Sequence, residues 1–261
     1  MSRLTDVVKF INFDMSKNLV FEPQVRYEAL KDRLFDAVKT YNPAVIVKAG
    51  IGGGKLLAEL AENFKARIVA VEPSAALINS FLMKHGTSEA VKRISIINGD
   101  FHQFPVDYYK ADMLICADYL DILDMGKCVD EFKRALQFEG IFFFAGTVLH
   151  DEDMEGVYDD FMRTANPLHN DYYLMEDLKT VMTLKDFSFM KSMVLKFSRD
   201  LRSALEYYGA FFGSDSKNAA RDFLREHRAV FEELYGLTGD EIITEQYLIG
   251  IYMRNRIPEA Q

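Results

Sequence analysis

Four glycines crowded into Lys48-Ala49-Gly50-Ile51-Gly52-Gly53-Gly54 constrain this chain more than any other feature. They follow Ala44 to Lys48, a short apolar run introduced by Asn42-Pro43. They precede a stretch in which Leu56, Leu57, Leu60, Ala61 and Phe64 recur at helical period. A strand that runs into glycines and then into a helix brings backbone amides to one point. Glycine permits the tight turn and lets a ligand approach the main chain, and the helix N-terminus presents its free N–H groups there. A turn of this composition serves either tightness alone or a ligand.

The surrounding pattern decides the fold class. Short apolar runs alternate with longer amphipathic stretches, as βαβ units with a mainly parallel sheet require. Strands are expected at Ala44 to Lys48, Arg67 to Val71, Arg93 to Ile97, Ala111 to Cys116 and Gly140 to Gly146. The last holds three consecutive Phe residues, which suits a strand covered on both faces. Helices are expected from Gly54, over Ser74 to His85 and over Met125 to Gln137. Past Leu149 come an acidic loop, His150-Asp151-Glu152-Asp153, helices near Met154 to Thr164 and Tyr173 to Leu184, and strands at Phe187 to Phe197 and Ile243 to Met253. Between those two strands lie helical stretches, Arg199 to Phe212 and Ser216 to Tyr235, split by Gly213-Ser214-Asp215. That is far longer than a common connection of roughly 4 to 6 residues, so a helical insertion at about 198–240 is expected.

Two familiar glycine loops do not fit. A dinucleotide fingerprint GxGxxG needs glycine or alanine where this chain has Lys55. A phosphate loop GxxxxGK[ST] would put Ala49 at its first glycine and Leu56 at the hydroxyl that reaches Mg²⁺. The spacing GxGxG is met by Gly50, Gly52 and Gly54. Further along, Glu72 closes the second expected strand, Gly99-Asp100-Phe101 follows the third, and Ala117-Asp118-Tyr119-Leu120 ends the fourth. This order resembles the class I S-adenosylmethionine-dependent methyltransferases over about residues 40 to 150.

The resemblance implies a Rossmann-like α/β fold: a doubly wound, mostly parallel seven-stranded sheet with helices on both faces and a helical insertion before the last strand. It implies one domain over 1–261, with an N-terminal helical segment (1–40), a cofactor-binding core (41–150) and a substrate-side half (151–253). It also implies S-adenosylmethionine as cofactor, S-adenosylhomocysteine as product and an unidentified small-molecule methyl acceptor. The cofactor residues it points to are Lys48, Gly50, Gly52, Gly54, Glu72, Asp100, Phe101 and Ala117. Glu72 would accept the ribose hydroxyls, Asp100 the adenine amino group, and Phe101 would lie beside the ring. By residue chemistry alone, Asp100 equally suits a helix N-cap or Asx turn.

Lys48 departs from the pattern, which usually has an acid two residues before the first glycine. A buried ammonium needs a partner, so Lys48 is expected to reach a carboxylate such as Asp118, to contact the cofactor's carboxylate, or to extend toward water. The reversed charge keeps open a non-catalytic S-adenosylmethionine or nucleoside-binding protein on the same fold; an NAD-linked oxidoreductase is disfavoured by Lys55. Methyl transfer has no obligatory catalytic motif, because the cofactor carries the electrophile. Asp118 and His150 are the candidates for a base or orienting group, since ligands gather at the carboxyl ends of strands. His102 edges the pocket or lies on the surface. Tyr207, Tyr208, Phe211 and Phe212 suit core packing, with a fraction of them lining an apolar pocket.

Composition narrows the classes. A formal charge of -9 disfavours a nucleic-acid partner, because backbone affinity needs clustered Lys and Arg. Gly140 to Leu149, the longest mostly apolar run without charge, is well short of the roughly 20 residues that span a bilayer. Met1 to Phe13 lacks the pattern of a secretory signal, so a cytoplasmic protein is expected. Cys116 and Cys128 make neither a disulfide framework nor a metal knuckle. No metal site is expected, and a homo-oligomer is left open.

Overall fold

The computed structural model describes residues 3–17, 24–239 and 241–256. Residues 1, 2 and 18–23 of the expected N-terminal segment lie outside them; the rest of that segment is helical, as α1 (Arg3–Lys17) and α2 (Gln24–Tyr41). Five parallel strands follow: β1 (Val45–Ala49), β2 (Arg67–Glu72), β3 (Ile94–Asn98), β4 (Ala111–Ala117) and β5 (Leu136–Val148). Helices α3 (Lys55–Asn63), α4 (Ala75–His85) and α5 (Met125–Ala135) connect them. The substrate-side half carries α6 (Val157–Ala165), α7 (Met175–Leu184), β6 (Phe187–Asp200), α8 (Leu201–Phe212), α9 (Ser214–Glu226), α10 (Arg228–Tyr235) and β7 (Ile242–Arg254). The seven-stranded order is β3-β2-β1-β4-β5-β7-β6. The first five strands pair in parallel, and β7 runs antiparallel to both β5 and β6. This is the doubly wound α/β fold of the sequence analysis.

The winding reverses between β1 and β4, which pair from Ile46↔Met113 to Ala49↔Cys116. Connections leave that point toward opposite edges, so a crevice opens beyond the carboxyl ends of the two strands. The β1 and β4 side chains are almost wholly buried. That accounts for their largely apolar sequence, with Lys48 and Asp112 as the exceptions.

Three boundaries differ from expectation for identifiable reasons. Strand β5 extends beyond 140–146 because it pairs with β7 from Ile141↔Met253 to Val148↔Gln246, and Leu136 pairs with Ala111 across a register shift. The stretch expected as Ser216 to Tyr235 is two helices. His227 breaks it by leaving helical geometry (φ -101°, ψ 17°), its ring stacked on Phe223 at 4.1 Å. The acidic loop after β5 delays α6, because Asp153 turns back to accept hydrogen bonds from the Val157 and Tyr158 amides.

Two apolar clusters result. The larger lies between the sheet and α2, α3, α5 and α7. The smaller is built by α6, α8, α9 and α10 with Ile243 of β7. Helix α1 joins the second to the cofactor side, since Phe10 packs edge-on against Tyr207 (5.7 Å) and Phe211 (5.2 Å), and stacks on Phe212 (5.6 Å).

Candidate functional site

A cavity of about 850 Å³ lies at the switch point. One wall is Ile51 to Leu56, another is Ala117 to Ile122, and a third is Phe144 to Val148. Helices α1, α2 and α8 roof it through Phe10, Arg26, Tyr27, Tyr207 and Tyr208. Its volume falls within the roughly 300–1,000 Å³ of small-molecule sites.

The glycine loop is held by short-range bonds. Gly50 N–H donates to Val71 O (2.8 Å), and Gly50 and Gly52 take φ of 78° and 60°, a region that favours glycine. A side chain at Gly52 or Gly53 would meet only open space, so this part of the loop faces the cavity. Lys48 also lines the cavity, 4% exposed, and its Nζ donates to Gly50 O at 2.5 Å. The structure thus gives this ammonium a main-chain partner within the loop, with the Glu72 carboxylate nearby.

Glu72 is fully buried at the end of β2. Its Oε2 accepts from Ile51 N–H (2.9 Å) and from the Tyr119 hydroxyl (3.2 Å), and its Oε1 accepts from Ser74 N–H (2.9 Å). Burial pushes its carboxyl up from the usual range, opposed by these hydrogen bonds and by the nearby Lys48 charge. The Tyr119 ring lies over Gly50 so closely that a Cβ there would sit 2.2 Å from Cε2, and it meets Phe101 edge-on at 5.3 Å. Tyr119 therefore stands between the cavity and Glu72. Lys48, Gly52, Gly54 and Ala117 line the cavity, whereas Gly50, Glu72, Asp100 and Phe101 do not.

Asp100 caps the short 3₁₀ turn Phe101–Gln103. Its Oδ1 accepts from His102 N–H at 2.9 Å and lies 3.0 Å from His102 Nδ1. His102 Nε2 accepts from Asp124 N–H at 3.2 Å, which pins this turn to the start of α5. His150 lies off the cavity, with its amide 3.3 Å from the Tyr235 hydroxyl. Asp118 does line the cavity, in the left-handed region at φ 61°. Its carboxylate is ion-paired to Arg26 of α2 and accepts from the Tyr247 hydroxyl at 3.1 Å, while the Arg26 guanidinium lies 4.1 Å from the Tyr247 ring centroid.

The ionisable groups of the far wall were not legible in the sequence. Asp121 lines the cavity one turn beyond Asp118. Burial pushes its carboxyl up to about 6, with Asp118 raising it further and His169 and Arg26 opposing. Behind it, His169 is buried, its Nδ1 3.9 Å from Asp121 Oδ2 and its Nε2 2.7 Å from Asp159 Oδ1. Arg199 and Glu245 also face the cavity and pair at 2.5 Å. Arg199 donates to the Tyr158 (3.3 Å) and Tyr208 (3.0 Å) hydroxyls as well. A single Asp, His or Arg carries no spacing signal of its own. The one available hint was Asn166-Pro167, a break after α6 that makes a loop of the segment holding His169.

Among the described residues no helix is long and apolar enough to cross a membrane, and no group of three His, Cys, Asp or Glu side chains could hold a metal ion. Residues 47–144 match the methyltransferase domain family. An uncharacterized methyltransferase of Bacillus subtilis, YrrT, is 24% identical over 167 residues, covering 60% of this chain and 76% of that protein. The crystal structure of YcgJ from Bacillus subtilis superposes with a TM-score of 0.74 at 12% identity, covering 88% of this chain and 100% of the other. Geranyl diphosphate C-methyltransferase from Streptomyces coelicolor, solved with Mg²⁺, geranyl diphosphate and S-adenosylhomocysteine, gives 0.61 at 14% identity, with 92% and 84% covered. Residues 47–144 thus match that domain, and the chain as a whole has the fold of these methyltransferase structures.

Proposed function

We propose that the protein transfers a methyl group from S-adenosylmethionine to a small-molecule acceptor. One observation carries this: a single cavity joins the glycine loop at the switch point to a wall of ionisable side chains. A cofactor portion and an acceptor portion would thus share one enclosure, as in-line transfer demands. The cofactor supplies an electrophilic methyl group when bound. The chain has to bind it, align the acceptor and keep water away.

The residues present fit the cofactor, with one rearrangement. Gly52 and Gly53 leave room for it to approach the main chain, and Lys48 and Ala117 border the same space. Glu72 can take the ribose hydroxyls once the Tyr119 phenol, a hydroxyl on the same carboxylate oxygen, moves aside. Phe101 lies edge-on against Tyr119 and becomes reachable by the same movement. Titration calorimetry with S-adenosylmethionine and S-adenosylhomocysteine, with NAD as control, tests this; absence of binding by both sulfur ligands would overturn it.

The seal that Tyr119 places over Glu72 also supports a second reading, a protein that binds the cofactor or a nucleoside without transferring methyl. It predicts calorimetric binding with no release of S-adenosylhomocysteine across a panel of acceptors.

A further inference from the structure

His169 is the only histidine among the described residues that is fully enclosed, and its two ring nitrogens are treated differently. Asp159, itself buried, holds Nε2 at 2.7 Å while also accepting from Tyr172 N–H (2.6 Å) and pairing with Arg163 (2.6 Å). As a carboxylate it has no proton to give, so it holds His169 as the tautomer that carries hydrogen on Nε2. The lone pair of Nδ1 then points away. No hydrogen-bond partner among the described residues reaches it, and the nearest carboxylate is Asp121, at 3.9 Å. An imidazole nitrogen kept dry and unpaired costs stability unless it serves a purpose.

Asp121 sits between that nitrogen and the cavity. The loop carrying His169 is fastened to the loop carrying Asp121, since Asn170 N–H donates to Asp121 O at 2.6 Å and Asn170 Nδ2 donates to Leu123 O. The neighbouring carboxylate, Asp118, has its oxygens engaged by Arg26 and Tyr247. Among the described residues Asp121 has His169 as its ion-pair partner, at 3.9 Å, and its carboxyl lines the cavity where an acceptor would lie. From the other elements it is met by Arg26 of α2, Tyr208 of α8, and His169 and Tyr172 of the loop after α6.

We propose that Asp121 is the catalytic residue that takes the proton of the methyl acceptor, and that His169, oriented by Asp159, is its positioning residue and the next stop of that proton. The inference rests on the methyl-transfer reading above. It names the acceptor class: a nucleophile bearing a hydrogen on oxygen, nitrogen or sulfur, in place of a tertiary amine or thioether. In the step, the acceptor's heteroatom forms a bond to the methyl carbon as the carbon–sulfur bond breaks, with its electron pair staying on sulfur. The acceptor's proton passes to a carboxylate oxygen of Asp121. A protonated Asp121 can then donate to the waiting Nδ1 of His169, and the proton leaves to solvent when the products go. A carboxyl titrating near 6 suits such an acceptor at neutral pH.

The test has three arms on the full chain. Calorimetry with S-adenosylhomocysteine on the wild type addresses the parent reading; no binding removes that reading and the inference together. Carbon-13 NMR of aspartate carboxyls follows ionisation without turnover. The resonance missing from Asp121→Asn is expected to titrate near pH 6 in the wild type and to shift in His169→Asn. If S-adenosylhomocysteine binds but that resonance ignores His169, the coupling is absent and the inference falls while the reading stands. Release of S-adenosylhomocysteine is then measured with a panel of phenols, amines and thiols beside tertiary amines and thioethers. Turnover is expected only with the protic set, falling at least about 100-fold in Asp121→Asn while S-adenosylhomocysteine affinity holds. In His169→Gln the acid limb of the pH profile should shift more than KM does. Turnover confined to aprotic acceptors, or full activity in Asp121→Asn, overturns the proposal.

Discussion

At one end of the cavity the wall is main chain: Gly52 and Gly53 are open to it, and the bonds that shape the loop run from Lys48, Val71 and Glu72, all within a short stretch of sequence. At the other end the wall is side chains brought from far apart, namely Arg26, Asp118, Asp121, Arg199 and Glu245, with His169 and Asp159 behind them. The first is a surface that many ligands with a polar backbone-facing edge could use. The second is specific, because each charge there has a partner whose position depends on another element. On the proposed reading, the glycine end would govern cofactor binding and the far end the choice of acceptor.

Breaking the far wall should have the largest effect. Arg199→Ala removes the counter-ion of the buried Glu245 and leaves that carboxylate the Tyr158 hydroxyl as its donor, so a loss of about 3–5 kcal/mol is expected in urea unfolding. A loss below about 1 kcal/mol would mean that the cluster is soft and that this end is less specific than its bonds suggest.

Next comes the pH dependence set by Asp121. Its folded carboxyl is raised from 3.8 to about 6, so the folded state holds the proton more tightly than the unfolded chain. Ionisation therefore costs stability as pH rises between those values, and the cost is absent below them. Asp121→Asn should match the wild type near pH 4 and exceed it above pH 6, by at most ~3 kcal/mol. Thermal melts across pH 4–8 check this, and a difference that does not change with pH would place Asp121 in ordinary solvent.

The glycine end should respond in binding more than in stability. Tyr119→Ala removes the side chain that seals Glu72, and S-adenosylhomocysteine is expected to bind about 10-fold more tightly, the gain from deleting a competitor worth about 1.4 kcal/mol. Unchanged or weaker binding would show that Tyr119 belongs to the binding surface. The smallest effect is expected at Asp100. Asp100→Ala should cost about 1 kcal/mol through the lost cap and change S-adenosylhomocysteine affinity by less than about threefold. A loss of about 10-fold or more would restore Asp100 as the adenine partner.

Much of the fold was legible because it is written in short-range periodicity. Each strand of the core appeared as a brief apolar run and each crossover as an amphipathic stretch, and the insertion between β6 and β7 stood out by length alone. The errors came where distant pairing overrode local pattern, as in β5, which follows β7 past its own apolar segment. The site divides the same way. Lys48, Gly52, Gly54 and Ala117 border the cavity where the glycine spacing pointed. His150, chosen for following a strand end, lies against Tyr235, away from the cavity.

The sequence by itself determined the sheet, its switch point and the glycine loop, because backbone conformation and hydrophobic period act over a few residues. Only the tertiary structure decided that Lys48 bonds to Gly50 O, that Tyr119 closes over Glu72, and that Asp121, His169 and Asp159 align. Those arrangements depend on burial and on charges carried by separate elements. Coulomb and desolvation energies are set by distance and enclosure, quantities that exist only once the chain has folded.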